Sequence, residues 1–201
     1  IVAEATRLGA DLVVQAVERS GVFDRVLLTH DDWQLVRHCP VPLLLVKNQP
    51  WKKPPTLLAA VDPKHARHKP TQLDDKILSV CESLSELIGG SSYAVHAYHP
   101  IPFSGSYPLD VKKAHAEAFA GLMSEYSFPS DHQLLIEGLP ALAIAEAVEQ
   151  TTADVVVMGA ISRSLIADLF IGTTTEQALD QLDCDVLVLK PDTSVETGDA
   201  R

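Results

Sequence analysis

Cysteine is scarce in this chain of 201 residues. Cys39, Cys81 and Cys184 make an odd number with no CxxC pair, which argues against a disulfide framework and fits a reducing compartment. Basic residues are outnumbered, with 16 Lys and Arg against 27 Asp and Glu, for a formal net charge of −11. That balance argues against a nucleic-acid-binding surface, which needs clustered cations, and equally against an anionic membrane surface. It leaves a nucleotide open, because backbone N–H groups alone can build a small phosphate site. No apolar run approaches the ~20 residues of a membrane span. Residues 1–10 lack the basic flank and apolar stretch of a signal peptide. The expectation is a cytoplasmic chain of one to two domains.

What the chain does contain is a repeat. Shifted by 143 positions without gaps, Asp11 falls on Asp154, Val13 on Val156, Leu44 on Leu187 and Lys47 on Lys190. Each copy reads as a buried strand, an amphipathic segment and a second buried strand closed by Lys. The period far exceeds the roughly 20–50 residues of solenoid units, so it marks a domain duplication. The first copy starts in mid-domain. Residues 1–47 are therefore expected to be the C-terminal part of a first domain, and 56–191 a complete second one. The Pro- and Lys-rich stretch 48–55 (NQPWKKPP) reads as a linker, and 192–201 as a polar tail.

Within 56–191 apolar strands alternate with amphipathic helices. Strands are predicted near Thr56–Val61, Tyr93–Tyr98, His132–Glu137, Asp154–Met158 and Val186–Lys190. Helices are predicted near Gln72–Ile88, Val111–Tyr126, Pro140–Gln150 and Thr174–Leu182. Gly89-Gly90 stops the first helix and Pro140 opens the third. This alternation predicts an α/β fold, a doubly wound five-stranded parallel sheet covered by helices on both faces.

In such sheets ligands bind beyond the carboxyl ends of strands, where strand order reverses. After the fourth strand come Met158-Gly159, then Ser162, and after nine more residues Gly172-Thr173-Thr174-Thr175-Glu176. A glycine at a strand end lets a ligand approach the backbone. The Gly172–Thr175 turn opens a helix, whose N–H groups and dipole favour an anion. The spacing is similar to the nucleotide motif of the universal stress proteins: Gly, two residues, a second Gly, nine residues, then Gly-Ser/Thr. Two copies in one chain resemble the tandem, E-type branch of that family.

The resemblance implies strand order 3-2-1-4-5 and pairing of the two fifth strands, Leu43–Lys47 with Val186–Lys190. It also implies an adenine-nucleotide site, with Mg²⁺ only where nucleotide binds. Val61 and Asp62 would stand near ribose and base, Ala97 against adenine, and Met158 and Gly159 at the end of the fourth strand. Gly172, Thr173, Thr174 and Thr175 would form the phosphate turn. Ser162 replaces the second glycine and adds a Cβ to that loop, so the motif is a degraded one. In the first copy Ala16, Arg19 and Thr29 stand where Gly159, Ser162 and Gly172 stand in the second. No nucleotide is expected there.

Thr173 and Glu176 also fit a capping box, and His96 and His99 are too differently directed to share a metal. Neither a Ser–His–Asp nor a Cys–His arrangement is read. The leading expectation is a non-enzymatic stress-response binding protein with a small-molecule ligand, nucleotide or amphiphile, and with homo-oligomers as a further expectation. Two alternatives stand beside it. One is a lipid- or metabolite-binding module, in which the apolar residues 165–171 and Phe103 and Tyr107 lie over the phosphate turn. The other is slow nucleotide hydrolysis, for which Asp62 is the one candidate metal partner.

Overall fold

The computed structural model describes residues 1–17, 28–47, 49–64, 72–99, 108–160 and 173–191. The first copy contributes α1 (Val2–Leu8), β1 (Val13–Ala16), α2 (His30–His38) and β2 (Leu43–Val46). The second contributes β3 (Thr56–Val61), α3 (Leu73–Ile88), β4 (Ser91–Tyr98), α4 (Pro108–Met123), β5 (Gln133–Glu137), α5 (Pro140–Thr151), β6 (Val155–Gly159), α6 (Thr173–Gln181) and β7 (Asp185–Leu189). The α3 helix shows how sequence dictates these elements. Leu73, Ile77, Leu78 and Cys81 fall on one buried stripe, as 3.6-residue periodicity requires. Gly89 ends the helix in the left-handed region at φ 64°, and Gly89 and Gly90 donate N–H bonds back to Glu86 and Ser85.

The strands form one sheet of seven, in the order β1-β2-β7-β6-β3-β4-β5. The five-stranded parallel sheet expected for 56–191 is thus one part of a larger sheet. The five strands of residues 56–189 lie as β5-β4-β3-β6-β7 and are parallel throughout. Beyond β7 the sheet continues through β2, which pairs antiparallel to it, and then β1. Strand β7 is buried along its whole length and apolar from Val186 to Leu189, and β2 removes the open edge it would otherwise present. Helices α3 and α4 pack on one face around Leu57, Ala59, Ile77, Phe119 and Met123. The other face carries α2, α5 and α6 around Leu45, Leu58, Ile144, Val156 and Leu179.

The two copies share one geometry. Val13 pairs with Leu43 in the first, and Val156 with Val186 in the second, so the strand register is carried over residue for residue. Helices α2 and α6 obey the same offset at both ends. Where β2 meets β7, Leu44 lies opposite Leu187, its own counterpart, flanked by Leu43 with Val188 and Leu45 with Val186. That is the pattern of a local two-fold axis through the pair. Two lysines reach across it to the ends of the corresponding helices, though not to equivalent carbonyls. Lys47, fully buried, donates from Nζ to the carbonyls of Leu179 and Leu182 at the end of α6. Lys190 donates from Nζ to the carbonyl of Arg37 at the end of α2, at 2.6 Å.

The stretch between the copies is strapped rather than loose. Trp51 Nε1 donates to Asp185 Oδ2 at 2.8 Å, and the Lys52 amide donates to Asp154 Oδ1 at 3.0 Å. Asp154 also accepts the Thr56 amide at 2.7 Å, and Asp185 the Lys47 amide at 2.7 Å. Aspartates at the starts of β6 and β7 thus hold both ends of the connection.

Candidate functional site

Strand order reverses between β3 and β6, the place where an open α/β sheet leaves a crevice. Their register, Ala60 beside Met158, brings Val61 and Asp62 alongside Gly159 at one edge of the sheet. Of the residues expected to form a site, these are brought together by the topology alone. Val61 and Met158 are buried core residues, while Asp62 keeps 42% of its side chain exposed. Ala97 lies half-buried on β4 beside Ile136, packed against the core on the α5 face. Thr173 begins α6 and Thr174 is half-buried in its first turn. Ser162, Gly172, the apolar span 165–171, Phe103 and Tyr107 lie outside the described residues, as does the capping role expected of the Thr173 side chain.

Two of these residues have structural duties the sequence did not reveal. A Cβ on Gly159 would sit 2.6 Å from Leu73 Cδ2 and 3.1 Å from its Cγ. The glycine therefore lets α3 close on β6. Thr175 is buried and donates its hydroxyl to the Gly159 carbonyl at 3.1 Å, tying the first turn of α6 to the end of β6.

The corresponding helix start in the first copy is closed by its own acid. Thr29 Oγ1 accepts the Asp32 amide at 3.3 Å, and Asp32 Oδ2 accepts the Thr29 amide at 2.9 Å and its hydroxyl at 2.8 Å. This capping box leaves a buried carboxylate, 3% exposed, at the positive end of α2. Under the repeat, Asp32 corresponds to Thr175, which brings no charge. The Thr-x-x-Asp spacing could have disclosed this cap from sequence.

Sequence reasoning also missed a histidine pair. His96 on β4 is 1% exposed, and its Nδ1 lies 3.2 Å from the Val61 carbonyl. Its Nε2 lies 2.8 Å from Nδ1 of His115 on α4. The ring centroids are 5.0 Å apart with planes within 21°, so the rings meet edge to edge along the N···N contact rather than face to face. Asp62 Oδ1 is 3.9 Å from His96 Nδ1, and the Asp62 amide donates to Asp74 Oδ1 at 3.1 Å. Burial pushes the pKa of His96 down, opposed by Asp62 and the Val61 carbonyl, while His115 pushes it further down. Burial also lowers His115, with Lys64 adding to the effect and Asp62 opposing it. His115 precedes Phe119 by one helical turn on the buried side of α4, but nothing in the linear order links it to His96.

Residues 71–190 match the family model described as the universal stress protein family. The chain belongs to the universal stress protein family. It is 30% identical over 213 residues to universal stress protein E of Escherichia coli K12, covering 99% of this chain and 67% of that protein. It is 27% identical over 192 residues to the universal stress protein E homolog of Haemophilus influenzae, covering 90% of this chain and 62% of that one. A putative universal stress protein from Pseudomonas aeruginosa shares the structure with a TM-score of 0.82 at 30% identity, over 95% of this chain and 67% of that one. The chain thus spans about two thirds of the length of these family members. Among the described residues, no helix is long and apolar enough to cross a membrane.

Proposed function

We propose that this chain is a stress-response binding protein whose second copy holds an adenine nucleotide in the crevice between β3 and β6, and whose first copy does not. The observation that carries this reading is the difference between the two equivalent helix starts. At α2 the buried Asp32 carboxylate already occupies the positive end of the helix, so an incoming phosphate would meet like charge. At α6 the same position is the neutral Thr175, whose hydroxyl is turned to the Gly159 carbonyl. Beside it stand Gly159 and the half-exposed Asp62, the groups for close backbone approach and for a ribose hydroxyl or Mg²⁺. Residues 1–47 are read as the C-terminal part of a first universal stress domain, joined to the second through β2 and β7. The role is regulatory rather than catalytic, with nucleotide occupancy altering the surface around the crevice.

Thermal unfolding with Mg·ATP tests the reading. A ligand at a hundred times its Kd adds about 2.7 kcal/mol of stability, a rise of several degrees in Tm for a chain of this size. Asp62→Ala should weaken that rise and Asp32→Ala should leave it unchanged. Absence of any shift with ATP, ADP or AMP sinks the nucleotide reading, and phosphate release that depends on Asp62 replaces it with a hydrolase. A second reading, an amphiphilic ligand, is favoured by one feature. Leu139 and Leu142, at the start of α5 beyond the same edge of the sheet, are 53% and 55% exposed. Binding of a long-chain fatty acid that is lost in Leu142→Asp, with no nucleotide shift, would select it.

A further inference from the structure

Lys47 and Lys190 are counterparts under the 143-residue offset, yet their surroundings carry different charge. Near Lys47, the carboxylates of Asp180, Asp183 and Asp185 oppose the effect of burial on its ammonium. The corresponding positions near Lys190 are Arg37, Pro40 and Pro42. The difference reaches the backbone. Asp185 Oδ1 accepts the Lys47 amide at 2.7 Å, whereas Pro42, its counterpart, has no acceptor in its side chain. Among the described residues the Lys190 amide has no acceptor, and the Lys190 ammonium has one, the Arg37 carbonyl at 2.6 Å. Burial pushes the pKa of Lys190 down, opposed by Cys39 and, among the described residues, by no carboxylate.

Beside Lys190 lies a cavity of about 360 Å³, between the loop that joins α2 to β2 and the end of β7. Its charged and titratable lining is His38, Lys76, Lys190 and the buried Cys39 thiol. No carboxylate among the described residues lines it, in a chain whose net charge is −11. Lys76 Nζ donates to the Lys190 carbonyl at 3.1 Å, which fixes α3 against this end of β7. The rest of the wall is Pro40, Val41, Pro42 and Pro191. A half-buried ammonium without an opposite charge is costly, and here the space for that charge is already open.

We infer that this cavity binds a small organic acid, one carboxylate on a compact apolar body. The carboxylate accepts from the Lys190 amide, as Asp185 does from that of Lys47, and faces the Lys190 ammonium. The apolar body lies against the prolines and Val41. Three of the four apolar wall residues are prolines, which have no N–H to donate, so the far wall suits hydrocarbon better than the further oxygens of an inorganic anion. The cavity shares no residue with the β3–β6 crevice, and the inference stands apart from the nucleotide reading.

Benzoate is the probe, titrated into the full chain and followed by ¹H–¹³C spectra of valine methyls and lysine Cε groups. Saturable shifts should appear at Val41 and Lys190, and benzamide, the neutral counterpart, should produce neither. Lys190→Gln keeps a donor for the Arg37 carbonyl and should weaken benzoate on the order of tenfold. Pro42→Asp supplies the carboxylate that the other copy carries at this position and should abolish binding. The Val156 methyls, deep in the core, report that each variant is folded. Equal binding of benzamide or of sulfate overturns the proposed class of ligand. Unchanged affinity in Lys190→Gln, or benzoate shifts at Val61 in place of Val41, overturns the site. No binding of benzoate overturns the inference altogether, whatever the result with nucleotides.

Discussion

Gly159 meets two demands at one position. As the last residue of β6 it lies where a ligand would approach the backbone, yet its missing Cβ is also what admits Leu73 of α3. Leu73 is 2% exposed, so it cannot swing out into solvent. Gly159→Ala should therefore destabilise the fold by about 1–3 kcal/mol, the usual cost of overpacking, measured by urea unfolding. Combining it with Leu73→Ala should cost less than the sum of the two single changes, because the second removes what the first strikes. Strict additivity would mean the packing argument is wrong. The glycine's place at a strand end was legible in the sequence. Its packing duty was not, because Leu73 is remote in the chain and meets β6 only once α3 has docked.

Elements were legible wherever local periodicity was strong. Helix α3, ended by Gly89, and helix α5, opened by Pro140, fall where their punctuation predicts. The helix start at α2 was within reach too, since Thr29 and Asp32 are three residues apart. What local pattern could not disclose is the closure of α6 by Lys47. Its ammonium satisfies carbonyls at the helix end from 132 and 135 residues away. Burial pushes the lysine's pKa down, offset by Cys184, Asp183, Asp180 and Asp185. Lys47→Met removes the charge but strands the carbonyls of Leu179 and Leu182 where water does not reach. The second effect should win, at about 1–3 kcal/mol of lost stability, read from chemical denaturation. Protection of the last α6 amides from hydrogen exchange should fall with it. A variant as stable as the parent would show that the helix end finds other donors.

At the scale of the molecule the local two-fold axis through Leu44 and Leu187 governs. The face that β7 offers to β2 is matched, residue for residue, by the face β2 offers to β7. A chain reduced to residues 49–201 would leave β7 as an open apolar edge. A second copy of β7 could then pair across Leu187, with its Lys190 taking the place of Lys47 at the end of α6. The shortened chain should accordingly form dimers, seen by sedimentation, and Leu187→Lys should dissociate them. A shortened chain that remains a stable monomer would refute the equivalence of the two strands.

By itself the sequence determined the α/β class, the places of strands and helices, and the 143-residue offset that the strand register repeats. Each of these is written in short-range periodicity and punctuation, or in a direct shift of the chain against itself. It also set Asp62 and Gly159 at the carboxyl ends of two strands, and the β3–β6 register then laid those ends side by side. Only the tertiary structure gave the register in which β2 runs antiparallel to β7 and the sheet reaches seven strands, because edge pairing depends on which apolar strand is left uncovered after folding. Only it placed Asp32 at the positive end of α2 as a buried charge and joined His96 to His115. Such contacts span elements whose relative positions come from packing, and packing acts between residues that the linear order keeps far apart.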